Sequence, residues 1–316
     1  MLILHTIAAF RAPTSYDILA TLLVGHDQPG MTEAGLDRAL ADLEDRGLLG
    51  WDRRGNRYDL HPVVRGVVWS GLDSNARRGN NLQLATYFES VPAVDENSVT
   101  SVDDLAVPIE LFHTLVRLGR YEAALNLMTD RIADPLTELG AFRQLAELAA
   151  SVISDPLWLE SIDDESDPVE IGALASFLTG VGYCFAGDPG RAVQAYDVAL
   201  SGIVSLVERD KEGEELLAIF RSLRAFALCQ LGNLAEAERE AWQGITALID
   251  DDYAELAIVV LGSILVRRGL IEDGRAWLTD YRGFFEPDYF SFLRVLEFGW
   301  LALDEHNYSA VEDSSA

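Results

Sequence analysis

One local arrangement recurs four times in this 316-residue chain and limits what it can become. An apolar helical stretch runs into a Gly, and five residues later a small residue opens a second helical stretch. The four pairs are Gly119 with Ala124, Gly187 with Ala192, Gly232 with Ala237, and Gly269 with Gly274. A Gly just past a helix supplies the left-handed turn that ends it. A small residue five positions on lets the returning helix lie close against the first. Seven residues before each turn Gly stand Phe112, Gly180, Ala225 and Gly262, and three of these four are small. Both sides of each crossing are thus thinned, and the chain is expected to fold into antiparallel helical hairpins.

The turn glycines lie 68, 45 and 37 residues apart, and 68 is twice 34. A helix–turn–helix unit with a period near 34 residues is the signature of tetratricopeptide-like repeats, which stack into an α–α superhelix. Such stacks bind partners along their faces and seldom carry chemistry. The helical pairs are expected at 104–118 with 121–133, 169–186 with 190–208, 213–231 with 234–249, and 253–268 with 271–283. A less regular pair is expected over 136–153, and a capping helix over 288–304. An acidic connection from Ser154 to Pro168 holds six acids and no base. Its Asp163, Asp164, Glu165 and Asp167 lack the Gly bend and terminal Glu of a calcium loop, so it reads as a solvated connection.

The first 73 residues follow a different pattern. Leu2–Phe10 is a short apolar helix stopped at Ala12-Pro13, and Thr14 or Ser15 can cap the next helix. Thr32 caps a third, with Leu36, Ala39, Leu40 and Leu43 at helical spacing before Gly47. Leu48–Trp51 and Arg57–Leu60 flank a Gly55-Asn56 turn and read as a β-hairpin. Pro62 then opens another helix. Three helices and a hairpin make a winged-helix pattern. The expected organisation is a winged-helix domain over 1–73, a connecting helix and linker over 74–103, helical repeats over 104–304, and a disordered tail over 305–316. The fold class is mainly α with one small β-hairpin.

The segment Tyr58-Asp59-Leu60-His61-Pro62-Val63-Val64-Arg65, between a winged helix and helical repeats, resembles the corresponding stretch of the STAND (NB-ARC-type) signalling ATPases. The resemblance in architecture covers the whole chain. In that class a P-loop ATPase precedes the winged helix and a superhelical sensor follows it. The resemblance implies that this chain corresponds to the C-terminal part of such a protein, a regulatory and sensor arm. It also implies that His61 contacts nucleotide phosphate when the ATPase domain is supplied, in cis or as a separate chain. An imidazole can donate to a phosphate oxygen, so the chemistry fits. The ATPase core itself is missing here: the single lysine, Lys211, sits in Asp-Lys-Glu with no Gly-rich lead, so the sequence contains no P-loop.

Charge and composition narrow the remaining functions. A formal net charge of −28 opposes general binding to nucleic acid or anionic membrane. Residues 1–72 hold seven cations against nine acids, and the expected recognition helix carries Glu33, Asp37, Asp42, Glu44 and Asp45. A DNA-reading regulator, with Arg53, Arg54 and Arg57 of the hairpin on the backbone, is the weaker alternative. The longest apolar stretches fall short of the ~18 residues that span a bilayer. The apolar N-terminus lacks a basic lead and a cleavage site, so a cytoplasmic protein is expected. Cys184 and Cys229 stand three residues before a turn Gly, where Val116 and Val266 stand elsewhere, and read as small apolar packing residues. No cofactor, metal or catalytic constellation is implied, and the chain is expected not to be an enzyme.

A partner protein, peptide or small inducer is expected on the repeats. The ordinary repeat register places Leu174, Phe177, Val181 and Cys184 on the concave side, then Ile219, Phe226 and Cys229, then Leu256, Val259 and Val266. Such a wall suits an amphipathic helix or apolar peptide, unless neighbouring helices bury both faces. Arg221 and Arg224 fall where packing residues are expected and form a candidate anion-binding pair. A stand-alone repeat adaptor is the main alternative function.

Overall fold

The computed structural model describes residues 2–24, 31–93, 98–154, 167–207, 213–248 and 254–280. It is mainly helical, with one small antiparallel sheet. The chain divides into two compact units, one over residues 1–139 and the other from Gly140 onward.

The first unit begins with the winged-helix segment. Helix α1 (Leu2–Ala9) ends where Arg11-Ala12-Pro13 forces a bend. Helix α2 (Tyr16–Leu23) starts on the Ser15 hydroxyl, which accepts from the Ile18 N–H at 3.4 Å. Helix α3 (Glu33–Asp45) starts on Thr32 Oγ1, which accepts from the Gly35 N–H at 3.1 Å. It stops at Gly47, whose φ is +67°. Strands β2 (Leu49–Asp52) and β3 (Arg57–Leu60) form the hairpin, displaced by one residue from the expected first strand. Asn56, with φ +47°, makes its turn. A third strand, β1 (Thr14–Ser15), pairs with β3 through Thr14 opposite Tyr58, giving the order β1-β3-β2. Two residues are too few to show strand alternation, so only pairing with β3 identifies β1. Inside lie Ile7, Leu19, Leu23, Leu36, Leu40 and Leu60, all at most 2% exposed.

Helix α4 (Pro62–Ser70) and helix α5 (Ser74–Ser90) follow the sheet, the latter capped by Asp73 accepting from Ala76 N–H at 2.7 Å. After a 3₁₀ turn (Val102–Leu105) come α6 (Ala106–Arg117), α7 (Tyr121–Arg131) and the short α8 (Ala133–Glu138). The hairpin of α6 and α7 turns at Gly119.

The second unit is a stack of tetratricopeptide-like hairpins: α9 (Phe142–Ile153), α10 (Pro168–Phe185), α11 (Pro189–Val207), α12 (Gly213–Gln230), α13 (Leu234–Leu248), α14 (Ala254–Arg267) and α15 (Ile271–Asp280). Consecutive helices from α9 to α15 pack on one another, and α14 also packs on α12. The expected capping helix at 288–304, the tail at 305–316 and most of the acidic connection lie outside the described residues.

All four expected joints have the same geometry. Gly119, Gly187, Gly232 and Gly269 have φ between +77° and +82°. At Gly232, its N–H donates to the Cys229 carbonyl and the Asn233 N–H to the Leu228 carbonyl, both at 3.0 Å. These two bonds satisfy carbonyls that a helix end leaves open. The small-residue crossings are also present. A Cβ added at Gly274 would lie 2.9 Å from the Gly262 carbonyl oxygen, and one at Gly180 would lie 2.6 Å from the Tyr196 ring. Ala124, Ala192 and Ala237 are fully buried.

Helix α10 is long and apolar enough by composition to cross a membrane, contrary to the expectation that no stretch reaches that length. Its setting explains the composition. It packs against α9 and α11, and 11 of its 18 residues are buried. A helix packed against two neighbours needs apolar residues around much of its circumference.

Candidate partner-binding surface and helix-entry histidine

His61 lies directly between β3 and α4 and caps the helix: its Nδ1 accepts from the Val63 N–H at 3.3 Å, with Pro62 at the first helical position. A ring nitrogen that accepts a backbone N–H is unprotonated, so neutral His61 carries its proton on Nε2. The residue is exposed. Helix α4 has no buried residue, and Val63 and Val67, one turn apart, are 66% and 67% exposed. Opposite these, Arg65 holds the helix to the domain through Asp59 and the Ile7 carbonyl.

On the face that the weaker, DNA-reading alternative would use, α3 carries one cation, Arg38, and its C-terminal cap is Arg46. Arg46 pairs with Asp42 at 2.9 Å, and Tyr16 donates to Asp37 at 2.7 Å. That bond to a carboxylate pushes the Tyr16 phenol up to about 12. On the hairpin, Arg53 sits 5.1 Å from the Trp51 ring centroid, and Trp51 stacks on Tyr58.

In the repeats the expected concave residues are mostly interior. Val181 and Phe226 are 5% and 6% exposed, and Cys184, Ile219 and Cys229 are buried as well. The aromatic contacts show why. Phe226 packs on Phe185 of α10 at 5.9 Å, and Phe185 packs on Phe142 of α9 at 5.4 Å. Phe177, half-buried, stacks on Phe220 of α12 at 4.1 Å. These rings join neighbouring hairpins. Val181 and Phe226 are therefore packing residues, a correction to the partner-wall expectation. Val259 lies in α14, and its side chain is outside the described residues, as is that of Leu256.

The anion-pair expectation for Arg221 and Arg224 is corrected too, because carboxylates already surround them. Arg224 Nε lies 2.7 Å from Asp197 of α11, and its Nη2 lies 2.9 Å from Glu236 of α13. Glu240 lies 3.5 Å from Arg224 and 4.0 Å from Arg221. Burial works to lower the Arg224 pKa, but hydrogen bonds to Asp197 and Glu236 outweigh it and raise the value. The same contact holds the Glu236 carboxyl below the usual range. Three carboxylates against two guanidiniums leave no cationic surplus for an anion. The arrangement stitches α11, α12 and α13 together. Sequence spacing missed it because Asp197 is 27 residues from Arg224, on another hairpin.

Cys184 and Cys229 are both buried and are not joined in a disulfide. Burial pushes the Cys184 thiol up to about 12, despite an opposing hydrogen bond with Gln230. Among the described residues no cluster of His, Cys, Asp and Glu can hold a metal ion.

No protein-family model and no curated protein matches this sequence. Among solved structures, the chain is similar to the crystal structure of a Signal Transduction ATPase with Numerous Domains (STAND) protein with a tetratricopeptide repeat sensor, from Pyrococcus horikoshii. The identity is 15% and the TM-score 0.35, and the match covers 99% of this chain and 49% of that one. The chain thus spans about half the length of the structure it matches.

Proposed function

We propose that this chain is the non-catalytic regulatory and sensor arm of a STAND-type signalling ATPase. The observation that carries the reading is the exposed surface of α4. His61, with Nε2 as its donor, stands at the start of that helix, and Val63 and Val67 follow on an uncovered face. A helix with apolar side chains in water and a phosphate-competent donor at its entry suits docking onto a nucleotide-bearing domain. The repeats supply the sensing element and take a protein, peptide or small inducer. A site for it lies elsewhere than Val181 and Phe226, which the stack itself occupies.

The decisive experiment begins with the DNA upstream of the Met1 codon. The proposal requires an encoded Gly-Lys-Ser/Thr P-loop, in frame or in an adjacent gene. Absence of such codons refutes it and leaves a stand-alone repeat adaptor. Where they are present, the encoded ATPase is loaded with ADP and mixed with this chain. Wild type is expected to slow ADP release, and His61→Ala to restore about tenfold of the rate, as loss of one hydrogen bond to phosphate of about 1.4 kcal/mol would do. Equal release with both variants refutes the role of His61.

A further inference from the structure

Near the bend after α1, basic groups gather around one carboxylate, Glu110, which binds backbone N–H groups and forms no ion pair with their side chains. Arg11 Nη1 lies 3.0 Å from Nδ1 of His113 on α6. Arg117, one turn further along α6, donates to the Ala9 carbonyl at 2.5 Å. Part of its side chain remains at the surface while its guanidinium lies 5.6 Å from the Trp69 ring centroid. Arg77 approaches the same ring at 5.8 Å.

Two acids lie nearby; burial lowers the Arg117 pKa, and the Glu110 charge raises it against that stronger effect. Glu110 accepts the backbone N–H groups of Arg11 and Ala12, at 3.4 and 3.0 Å. Asp59 pairs with Arg65. Among the described residues, no carboxylate lies within ion-pair distance of Arg11, Arg77 or Arg117. Arg224 offers the contrast, with three carboxylates around one guanidinium. His113 faces Arg11 as an acceptor and therefore stands as the neutral imidazole. Burial first, then the charges of Arg11 and Arg117, hold its pKa down to about 3.

We propose that Arg11, His113 and Arg117 form a binding site for a tetrahedral phosphate-type dianion. Two guanidiniums supply forked donors that fit phosphate oxygens. The His113 imidazole, in contact with Arg11 and within the field of Arg117, becomes a third donor once an anion offsets their charges. Burial still lowers the His113 pKa, but a dianion there offsets the part of the depression that comes from Arg11 and Arg117, so binding takes up a proton as pH falls. The site lies wholly within the first unit and is independent of the role proposed for His61.

Sulfate is the suitable probe, because it stays dianionic across the pH range where phosphate itself titrates. The full chain is titrated with sulfate against chloride at matched ionic strength, and the His113 ring nitrogens are followed by NMR. The expected result is saturable binding that tightens as pH falls, with the His113 pKa raised by at least one unit, a tenfold coupling. Inorganic phosphate is expected to compete. Arg11→Gln, at an exposed position, is expected to weaken sulfate at least tenfold, and Arg53→Gln on the hairpin to leave it unchanged. A His113 signal that does not distinguish sulfate from chloride overturns the proposal. So does unaltered binding in Arg11→Gln, or acetate bound as tightly as sulfate.

Discussion

Replacing Gly182 with alanine sets two effects of opposite sign against each other, and the structure decides between them. In the interior of α10, alanine is favoured over glycine by about 1 kcal/mol of helix propensity. The new Cβ would, however, lie 2.5 Å from the Ala146 nitrogen, 2.7 Å from the Ala146 Cβ and 2.7 Å from the Phe142 carbonyl oxygen. Two of these atoms are backbone, so no side-chain rotation relieves the contact and α9 must move away by about 1 Å. Overpacking of this kind costs about 1–3 kcal/mol. A gap of that size forfeits a quarter to a half of the dispersion across the interface. Leu145, Ala146 and Ala149 of α9, all at most 1% exposed, would share the loss. The upper part of the range applies, and the net change is about 2 kcal/mol destabilising. For a unit of this size that lowers Tm by about 4–8 °C. Gly79→Ala on α5 is the control, since nothing lies within 4 Å of its added Cβ, and it should stabilise by about 0.5–1 kcal/mol. Guanidinium unfolding followed by circular dichroism measures both. Adding Ala146→Gly to Gly182→Ala should restore only part of the loss, because the backbone contacts persist. A Gly182→Ala protein stabilised as much as Gly79→Ala would refute the close α9–α10 crossing.

Three other perturbations test the stack and its packing residues. Arg224→Gln should destabilise by about 1–3 kcal/mol, less than a fully buried pair because its carboxylates are partly solvated. Glu236 has a folded-state pKa held below its unfolded value, so its stabilising contribution is present above the ordinary carboxylate range and lost as pH falls through the folded value. The stability of Arg224→Gln should therefore fall less than that of wild type between about pH 5 and pH 3; parallel curves from urea unfolding would refute the linkage. Gly232→Ala, at φ +79° with open space around its Cβ, should cost about 1 kcal/mol from backbone strain alone, and Gly232→Asn less; equal stabilities by denaturant titration would contradict the left-handed turn. Cys184 should resist an aromatic disulfide reagent at pH 8 until denaturant is added, and rapid labelling of the native protein would show that the thiol is not enclosed.

What the sequence determined by itself was local and periodic. The Gly joints, the small residues that cross them, the Ser15 and Thr32 caps and the β2–β3 hairpin follow from backbone conformations that few residues tolerate. Those preferences act within a helical turn or two and are legible without a partner. The helix entry at Pro62 follows in the same way, from a ring that fits the first helical position. The tertiary structure decided everything that depends on which helices become neighbours. Strand β1 exists only because Tyr58 lies opposite Thr14. Phe226 is interior because α10 brings Phe185 against it, and Arg224 is neutralised because α11 and α13 deliver Asp197 and Glu236. Arg11 and His113, 102 residues apart, meet through the packing of the first unit. Burial and charge pairing are sums over such neighbours. One helix's periodicity can announce a face, but the helices packed against it decide whether that face meets solvent, another ring or a carboxylate.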